Sequence, residues 1–341
     1  MKTQEILAKV VNGGDLSQEE ARLMMNRIMS GEVTDAQIGA YLTALRMKGE
    51  KVSEIAGSAQ AMREKALHVR ASGIVVDTCG TGGDGIGSFN ISTTAAFVVA
   101  ACGVTVAKHG NRSITSKSGS ADVLLALGVK IDIEPEVVER ALYEAGVGFL
   151  FAPRHHGAMR HAMGPRKELA YYTLFNLLGP LTNPAGATRQ LIGVFDAKWV
   201  EPMARTLGRL GSQHAMVVHG VDGMDEISIT GPTHVSELTP DGHVKSYIIH
   251  PEQFGLSLAR LDDLQGGDAQ LNAGITRRIL EGESGPCRDI VVLNAAAALR
   301  VAGVAEDIGT GLVMATRALD EGRALDRLER LIRITNQPLN F

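Results

Sequence analysis

The chain has 341 residues, 45% hydrophobic and 21% charged, with 39 glycines and a formal net charge of −4, the usage of an Ala/Gly-rich α/β protein longer than one ordinary core. An acidic balance with no recurring Lys/Arg cluster offers no field to a nucleic-acid backbone, and the longest apolar run, Ala95 to Val104, is far short of a membrane span. Cys79, Cys102 and Cys287 form no CxxC, which excludes a disulfide framework and a zinc spacing and suits a cytoplasmic protein with neither nucleic-acid nor membrane partner.

From Ser17 to about Leu67 apolar residues recur at helical spacing, with helix starts at Ser17-x-x-Glu20 and Thr34-x-x-Gln37 and a cap expected at Ser53. Leu23, Met24, Ile28, Ile38, Leu42 and Leu45 serve either an internal core or a partner helix. At Gly73 the texture changes. Ile74 to Val76 reads as a buried strand, a glycine-rich loop follows, then Ile91 to Ala101 as a helix and Val104 to Val106 as a second strand. Further strands are expected at Val129 to Ile133, Leu191 to Phe195, Ala215 to Val218 and Tyr247 to Ile249. Ala-rich helices are expected at Ile290 to Val301 and Leu312 to Ala318, and Thr239 to Gly267 is the least regular stretch. The fold class that follows is α/β: a small helical lobe beside a central, mostly parallel sheet wrapped by helices.

Several loops carry chemistry. Asp77-Thr78-Cys79-Gly80-Thr81-Gly82-Gly83-Asp84-Gly85-Ile86-Gly87-Ser88 lies between a strand and a helix that starts near Asn90 to Ser92. Residues without Cβ let backbone N–H groups approach phosphate oxygens, and a helix N-terminus adds roughly 0.3–1 kcal/mol per exposed anion. Asn90, Ser92, Thr93 and Thr94 crowd that start with oxygens able to cap, to bond phosphate or to hold a metal. Gly80-x-Gly82-x-x-Gly85 also satisfies a dinucleotide fingerprint. Against that stand Asp84 inside the loop and Lys108-His109 where a ribose-binding acid belongs.

Lys108 to Asp122, just beyond the second strand, offers cations, an amide and five hydroxyls, enough for a polyanion carrying a sugar diol. Asp225 and Glu226, after the strand Ala215 to His219, suit Mg²⁺ shared with pyrophosphate, because that ion keeps waters and substrate oxygens in its shell. The basic stretch Ala152 to Glu168 holds three His, yet no Cys or carboxylate stands at a ligand spacing; its arginines are better suited to binding a substrate carboxylate.

Together with Asn90-Ile91-Ser92-Thr93, Lys108-His109-Gly110-Asn111-Arg112, Phe175 to Pro184 and Asp222-Gly223-Met224-Asp225-Glu226, the Asp77 to Asp84 loop resembles the anthranilate phosphoribosyltransferases in order and spacing over nearly the whole chain. The resemblance implies the nucleoside phosphorylase type of fold. Its small helical domain would be residues 1–70 joined by a segment near 160–182, and its large α/β domain residues 71–159 and 183–341. It implies a homodimer through the helical domain. It also implies transfer of phosphoribosyl from phosphoribosyl pyrophosphate to anthranilate, the second step of tryptophan biosynthesis from chorismate.

Carried over position by position, Gly80, Thr81, Gly82, Gly83, Asp84, Ser88, Asn90, Ile91, Ser92, Thr93, Lys108, Asn111, Arg112, Ser116, Ser118, Gly119 and Ser120 would surround phosphoribosyl pyrophosphate. Anthranilate would meet Gly80, His109, Asn111 and Arg166, with His109 and Gly110 at the bond-forming place. A pair of Mg²⁺ ions per subunit would use Ser92, Asp225 and Glu226. No general base is obligatory. The chain departs from the pattern at Ala170-Tyr171-Tyr172, where relatives often show a Gly and then an Arg. Pyrimidine nucleoside phosphorylases share the fold, but they typically carry Ser where Gly110 follows Lys108-His109. A non-catalytic nucleic-acid-binding paralogue would need a basic groove.

Overall fold

Amphipathic periodicity builds the first part of the chain: α1 (Thr3–Val11), α2 (Gln18–Met29), α3 (Asp35–Lys48) and α4 (Val52–Glu64). The computed structural model describes residues 1–113 and 117–337. Ser17 and Thr34 accept from the N–H groups of Glu20 and Gln37, whose side chains reach back to the cap residues, as their spacing predicts. Ser53 is no cap. Its hydroxyl donates to Leu16 O at 2.8 Å, and the helix starts earlier, after Lys51, because the buried Glu54 carboxylate accepts from Lys51 N at 2.8 Å.

The chain then alternates: β1 (Val75–Gly80), α5 (Ile91–Ala101), β2 (Thr105–Gly110), α6 (Ser120–Ala126), α7 (Pro135–Glu144), β3 (Val147–Phe151), α8 (Ala152–His155), α9 (Arg160–Leu169), α10 (Leu174–Leu178), β4 (Arg189–Gly193), α11 (Val200–Arg209), β5 (His214–Gly220), β6 (Thr233–Leu238) and β7 (Val244–Ile249). It closes with α12 (Ala269–Leu280), α13 (Pro286–Ala302), α14 (Ile308–Asp320) and α15 (Arg323–Asn336). The sheet order is β3-β2-β1-β4-β5-β6-β7. Neighbours from β3 to β5 run parallel, and β6 and β7 form an antiparallel edge.

Both faces of the sheet are covered, as a parallel sheet requires. On one face Val76, Val106, Leu191 and Met216 pack with α5 and with α13 to α15. On the other, Ile192, Val194 and Val217 share a core with α11, α10 and the helical bundle. That core is continuous from Ile6 to Leu238. Helix α9 lies against α2 and α3, and α10 against α3 and α4.

Some expectations are corrected. Val129 to Ile133 is not a strand: Val129 N bonds Leu124 O to close α6, Lys130 N bonds Thr335 Oγ1, and Glu134 already leads into α7. Strands β3 and β6 go unforeseen. Both β1 and β2 run further than their apolar residues suggest, through Gly80 and Gly110, so Asp77 to Gly80 and Lys108 to Gly110 are strand ends rather than loop.

The strand order reverses direction between β1 and β4, and the crevice outside the C-terminal ends of strands at such a point is where open α/β sheets bind ligands.

Candidate active site

Two glycines open this crevice. Gly80 and Gly193 end β1 and β4 and face each other in register. A Cβ on Gly193 would stand 1.5 Å from the Asp225 carbonyl oxygen, and one on Gly80 would stand 2.5 Å from Asp225 Oδ2. The segment after β5 therefore threads over the end of β4 only because Gly193 carries no side chain, whereas at Gly80 it is the Asp225 carboxylate that a side chain would displace. Thr81 N donates to Gly193 O at 2.9 Å, its hydroxyl accepts from Phe195 N at 3.0 Å, and Gly82 N donates to Asp225 Oδ2 at 2.8 Å. Beyond Thr81 the loop turns on Gly82, Gly83, Gly85 and Gly87, all at φ between 65° and 80°. The N–H groups of Gly83, Asp84 and Gly85 donate to nothing among the described residues.

Asp225 lies against Asp84, and Glu226 is buried with Oε1 accepting from Ser92 N, in the first turn of α5, at 3.1 Å. Both carboxyls sit well above the ordinary carboxylate range. For each the main cause is loss of water around the charged form. The Asp84 charge then raises Asp225, and the Asp225 charge raises Glu226. The cation built into the site is Lys108, buried, with Nζ donating to Thr78 O and, at 3.3 Å, to Ser92 Oγ. Among the described residues no three His, Cys, Asp or Glu side chains converge as a complete metal cage. Acids crowded together with a single buried lysine beside them fit a hard cation that keeps other oxygens in its shell.

Asp77, buried, accepts from His109 N at 3.1 Å and from Asn183 Nδ2 at 2.8 Å, while Asn183 also donates to Ala107 O. Burial pushes Asp77 up to about 6. His109 donates Nδ1–H to Gly179 O at 3.1 Å, leaving Nε2 an acceptor with no partner among the described residues. The ring of His156 lies 5.1 Å away. Burial first, then the neighbouring histidines, hold His109 at about 3 and His156 at about 4, so both are neutral.

The remaining expected positions gather around this point or fall beside it. Asn90 Nδ2 donates to Ser118 O at 3.3 Å, and Ser120 Oγ donates to Asn111 O at 3.3 Å. A Cβ on Gly110 would displace the Ser120 hydroxyl, 2.2 Å away, and press on the Phe149 ring at 2.8 Å, while one on Gly119 would meet the backbone at Ser113 N, 2.4 Å away. Asn111 and Arg112 are exposed at the rim. Ser88 pairs with Gln265, further along the loop. Ile91 and Thr93 turn their side chains into the core. Ser116 lies outside the described residues.

Arg166 on α9 lies over the Phe175 ring at 5.0 Å and has no acidic partner among the described residues; burial lowers its pKa. Four contributors receive no role from the sequence, namely Gly193, Asp77, Asn183 and Tyr172, although Asp77 and Asn183 lie within the motifs quoted above. Tyr172 Oη donates to Gly83 O at 2.6 Å. Only the departure at Ala170 to Tyr172 marks the last of them in advance.

The chain is similar along nearly its whole length to proteins of one family. Residues 4–66 match the model of the glycosyl transferase family, helical bundle domain, and residues 72–325 that of the glycosyl transferase family, a/b domain. Anthranilate phosphoribosyltransferase of Desulfatibacillum aliphaticivorans is 56% identical over 98% of each chain. The crystal structure of the Thermus thermophilus anthranilate phosphoribosyltransferase superposes with a TM-score of 0.92 at 45% identity, covering 97% of this chain and 99% of that one. The Saccharomyces cerevisiae enzyme, solved with phosphoribosyl pyrophosphate and Mg, gives 0.89 at 27% identity over 98% and 97%, and it has also been solved with 4-fluoroanthranilate.

Proposed function

The chain belongs to the anthranilate phosphoribosyltransferases of the glycosyl transferase family, and from that premise we propose which of its residues serve which part of the reaction. It is a pentosyltransferase that moves phosphoribosyl from phosphoribosyl pyrophosphate to the amine of anthranilate, giving N-(5-phosphoribosyl)anthranilate and pyrophosphate, the second step of tryptophan biosynthesis from chorismate.

The observation that carries the residue assignments is the convergence at the β1/β4 crevice of loop N–H groups without an acceptor among the described residues, Lys108 and a raised acidic pair. The loop Gly80 to Asp84 and the start of α5, Asn90 to Thr93, receive the pyrophosphate end. Lys108, Asn111 and the Ser118 to Ser120 turn line the phosphoribosyl group. Asp225, Glu226 and Ser92 would hold Mg²⁺, which accompanies phosphoribosyl pyrophosphate in the yeast relative. When bound, Mg²⁺ supplies positive charge against the charge that develops on the leaving pyrophosphate.

Arg166, with no acidic partner among the described residues and braced by Phe175, takes the anthranilate carboxylate in a bidentate pair. His109 and Gly110 bound the space where the amine meets ribose C1. An aryl amine attacks while neutral, so the side chains act by positioning and electrostatics, and the proton departs afterwards without an obligatory base.

We assign residues 1–70 with 160–182 to the helical domain, supported by α9 lying on α2 and α3, and the rest to the α/β domain. Exposed Met47 on α3 and Met163 on α9 suit a second copy of the chain, which makes a homodimer the assembly we expect. Three free cysteines suit the cytoplasm, and no helix among the described residues is long and apolar enough to cross a membrane.

The test follows anthranilate fluorescence with purified protein, phosphoribosyl pyrophosphate and Mg²⁺, beside a sample containing EDTA. Loss of fluorescence that EDTA prevents supports the assignment of substrates and metal. Loss that EDTA leaves untouched removes the metal assignment.

A further inference from the structure

We propose that Tyr172 is a positioning residue that holds the glycine-rich loop after β1 in its pyrophosphate-receiving shape and anchors that loop to the helical lobe. This rests on the assignment of Gly80 to Asp84 to phosphoribosyl pyrophosphate. Four glycines at positive φ give the loop many alternative shapes, so something outside it must select one.

The Tyr172 hydroxyl donates to Gly83 O at 2.6 Å, and its ring stacks on Phe195 with centroids 4.6 Å apart and planes 24° off parallel. Phe195 N in turn donates to the Thr81 hydroxyl at 3.0 Å. One aromatic pair thus grips the loop at Thr81 and at Gly83. The fit is close: a Cβ on Gly83 would lie 1.8 Å from Tyr172 Oη.

The direction of the bond matters as much as its presence. A trans peptide is planar, with C=O and the next N–H pointing opposite ways. Drawing the Gly83 carbonyl toward Tyr172 therefore turns the Asp84 N–H away from it. The N–H groups of Gly83, Asp84 and Gly85 donate to nothing among the described residues, so the tether presents unspent donors to an anion.

At its other end Tyr172 belongs to the bundle. Its carbonyl accepts from Arg46 Nη1 on α3; the same guanidinium lies 5.3 Å over the Tyr171 ring, and the Tyr171 hydroxyl pairs with Thr43 at 2.6 Å. Backbone held by α3 and hydroxyl held by the loop make Tyr172 a strut between the two.

Tyr172→Phe keeps the stacking ring and removes the hydroxyl. Steady-state kinetics should show KM for phosphoribosyl pyrophosphate raised about three- to tenfold, the size of one neutral hydrogen bond, with kcat and KM for anthranilate changed less than about twofold. Amide exchange of the peptide spanning 81–87 should quicken in the free variant while the thermal midpoint stays in place. A merely structural tyrosine would lower the midpoint and move both KM values together, which overturns the proposal. Wild-type KM with wild-type exchange in the variant overturns it too, leaving the substrate assignment intact. A wild-type protein without turnover on phosphoribosyl pyrophosphate overturns both.

Discussion

Replacing Gly193 with alanine sets a methyl group where the acidic segment runs. Its Cβ would stand 1.5 Å from Asp225 O and 2.4 Å from the attached carbon. Carbon and oxygen that are not bonded come no closer than about 3.3 Å, so the segment must retreat by roughly 1.8 Å. The bonds from Gly82 N to Asp225 and from Ser92 N to Glu226, 2.8 and 3.1 Å long, cannot survive such a shift. Because about 1 Å of misplacement can cost about 100-fold, kcat/KM for phosphoribosyl pyrophosphate should fall at least that far. Overpacking costs only about 1–3 kcal/mol against a total of about 5–15, so the variant stays folded. Fluorescence-monitored turnover across a titration of phosphoribosyl pyrophosphate at fixed Mg²⁺, beside a urea melt, separates the two effects. Activity within about fivefold of wild type, roughly 1 kcal/mol, would refute the claim that this glycine makes room for the acids.

Other changes test other parts of the molecule. Asp225→Asn with Glu226→Gln should abolish turnover at saturating Mg²⁺ without lowering the urea midpoint; surviving turnover counts against the metal assignment. Burial alone would raise Glu237, but hydrogen bonds from His214 and Tyr247 and the Arg300 charge outweigh it and hold the carboxyl down to about 2. Its folded pKa lies below the unfolded value of about 4.3, so the stability it contributes is present above that pH and is lost as pH falls toward 2. Glu237→Gln should therefore cost about 1.5–3 kcal/mol at neutral pH and flatten that part of the acid unfolding curve. Ala170 has φ 50°, the one non-glycine at positive φ among the described residues. Ala170→Gly should raise the unfolding free energy by about 1 kcal/mol in a urea melt, by relieving Cβ crowding.

What the sequence made legible was local. Helix α5 and the capping boxes at Ser17 and Thr34 depend on residues within a few positions of one another. The loops after β1, β2 and β5 announce themselves by residue type. What stayed hidden depends on distant segments meeting. Lys108 and His109 read as loop because they are polar, yet strand pairing with Phe149 and Leu150 and the Asp77 clamp hold them in β2. Val129 to Ile133 has the apolar content of a strand but no neighbour to pair with, since α15 and the end of α6 take its backbone bonds. Gly193 looks like any strand-end glycine until Asp225 crosses it, and the Tyr172 departure could be noticed in the chain but not given a partner there.

The distance in sequence between Gly82 and Asp225, 143 positions, has a further consequence. A chain leaving the ribosome completes the β1-loop-α5 unit long before β5 and its acids emerge. The loop then waits without the carboxylate that accepts from Gly82, and no early intermediate possesses the assembled crevice. Ligand capture is thereby confined to molecules whose large domain is finished, and the substrate complex, once formed, draws the folding equilibrium toward completion by mass action.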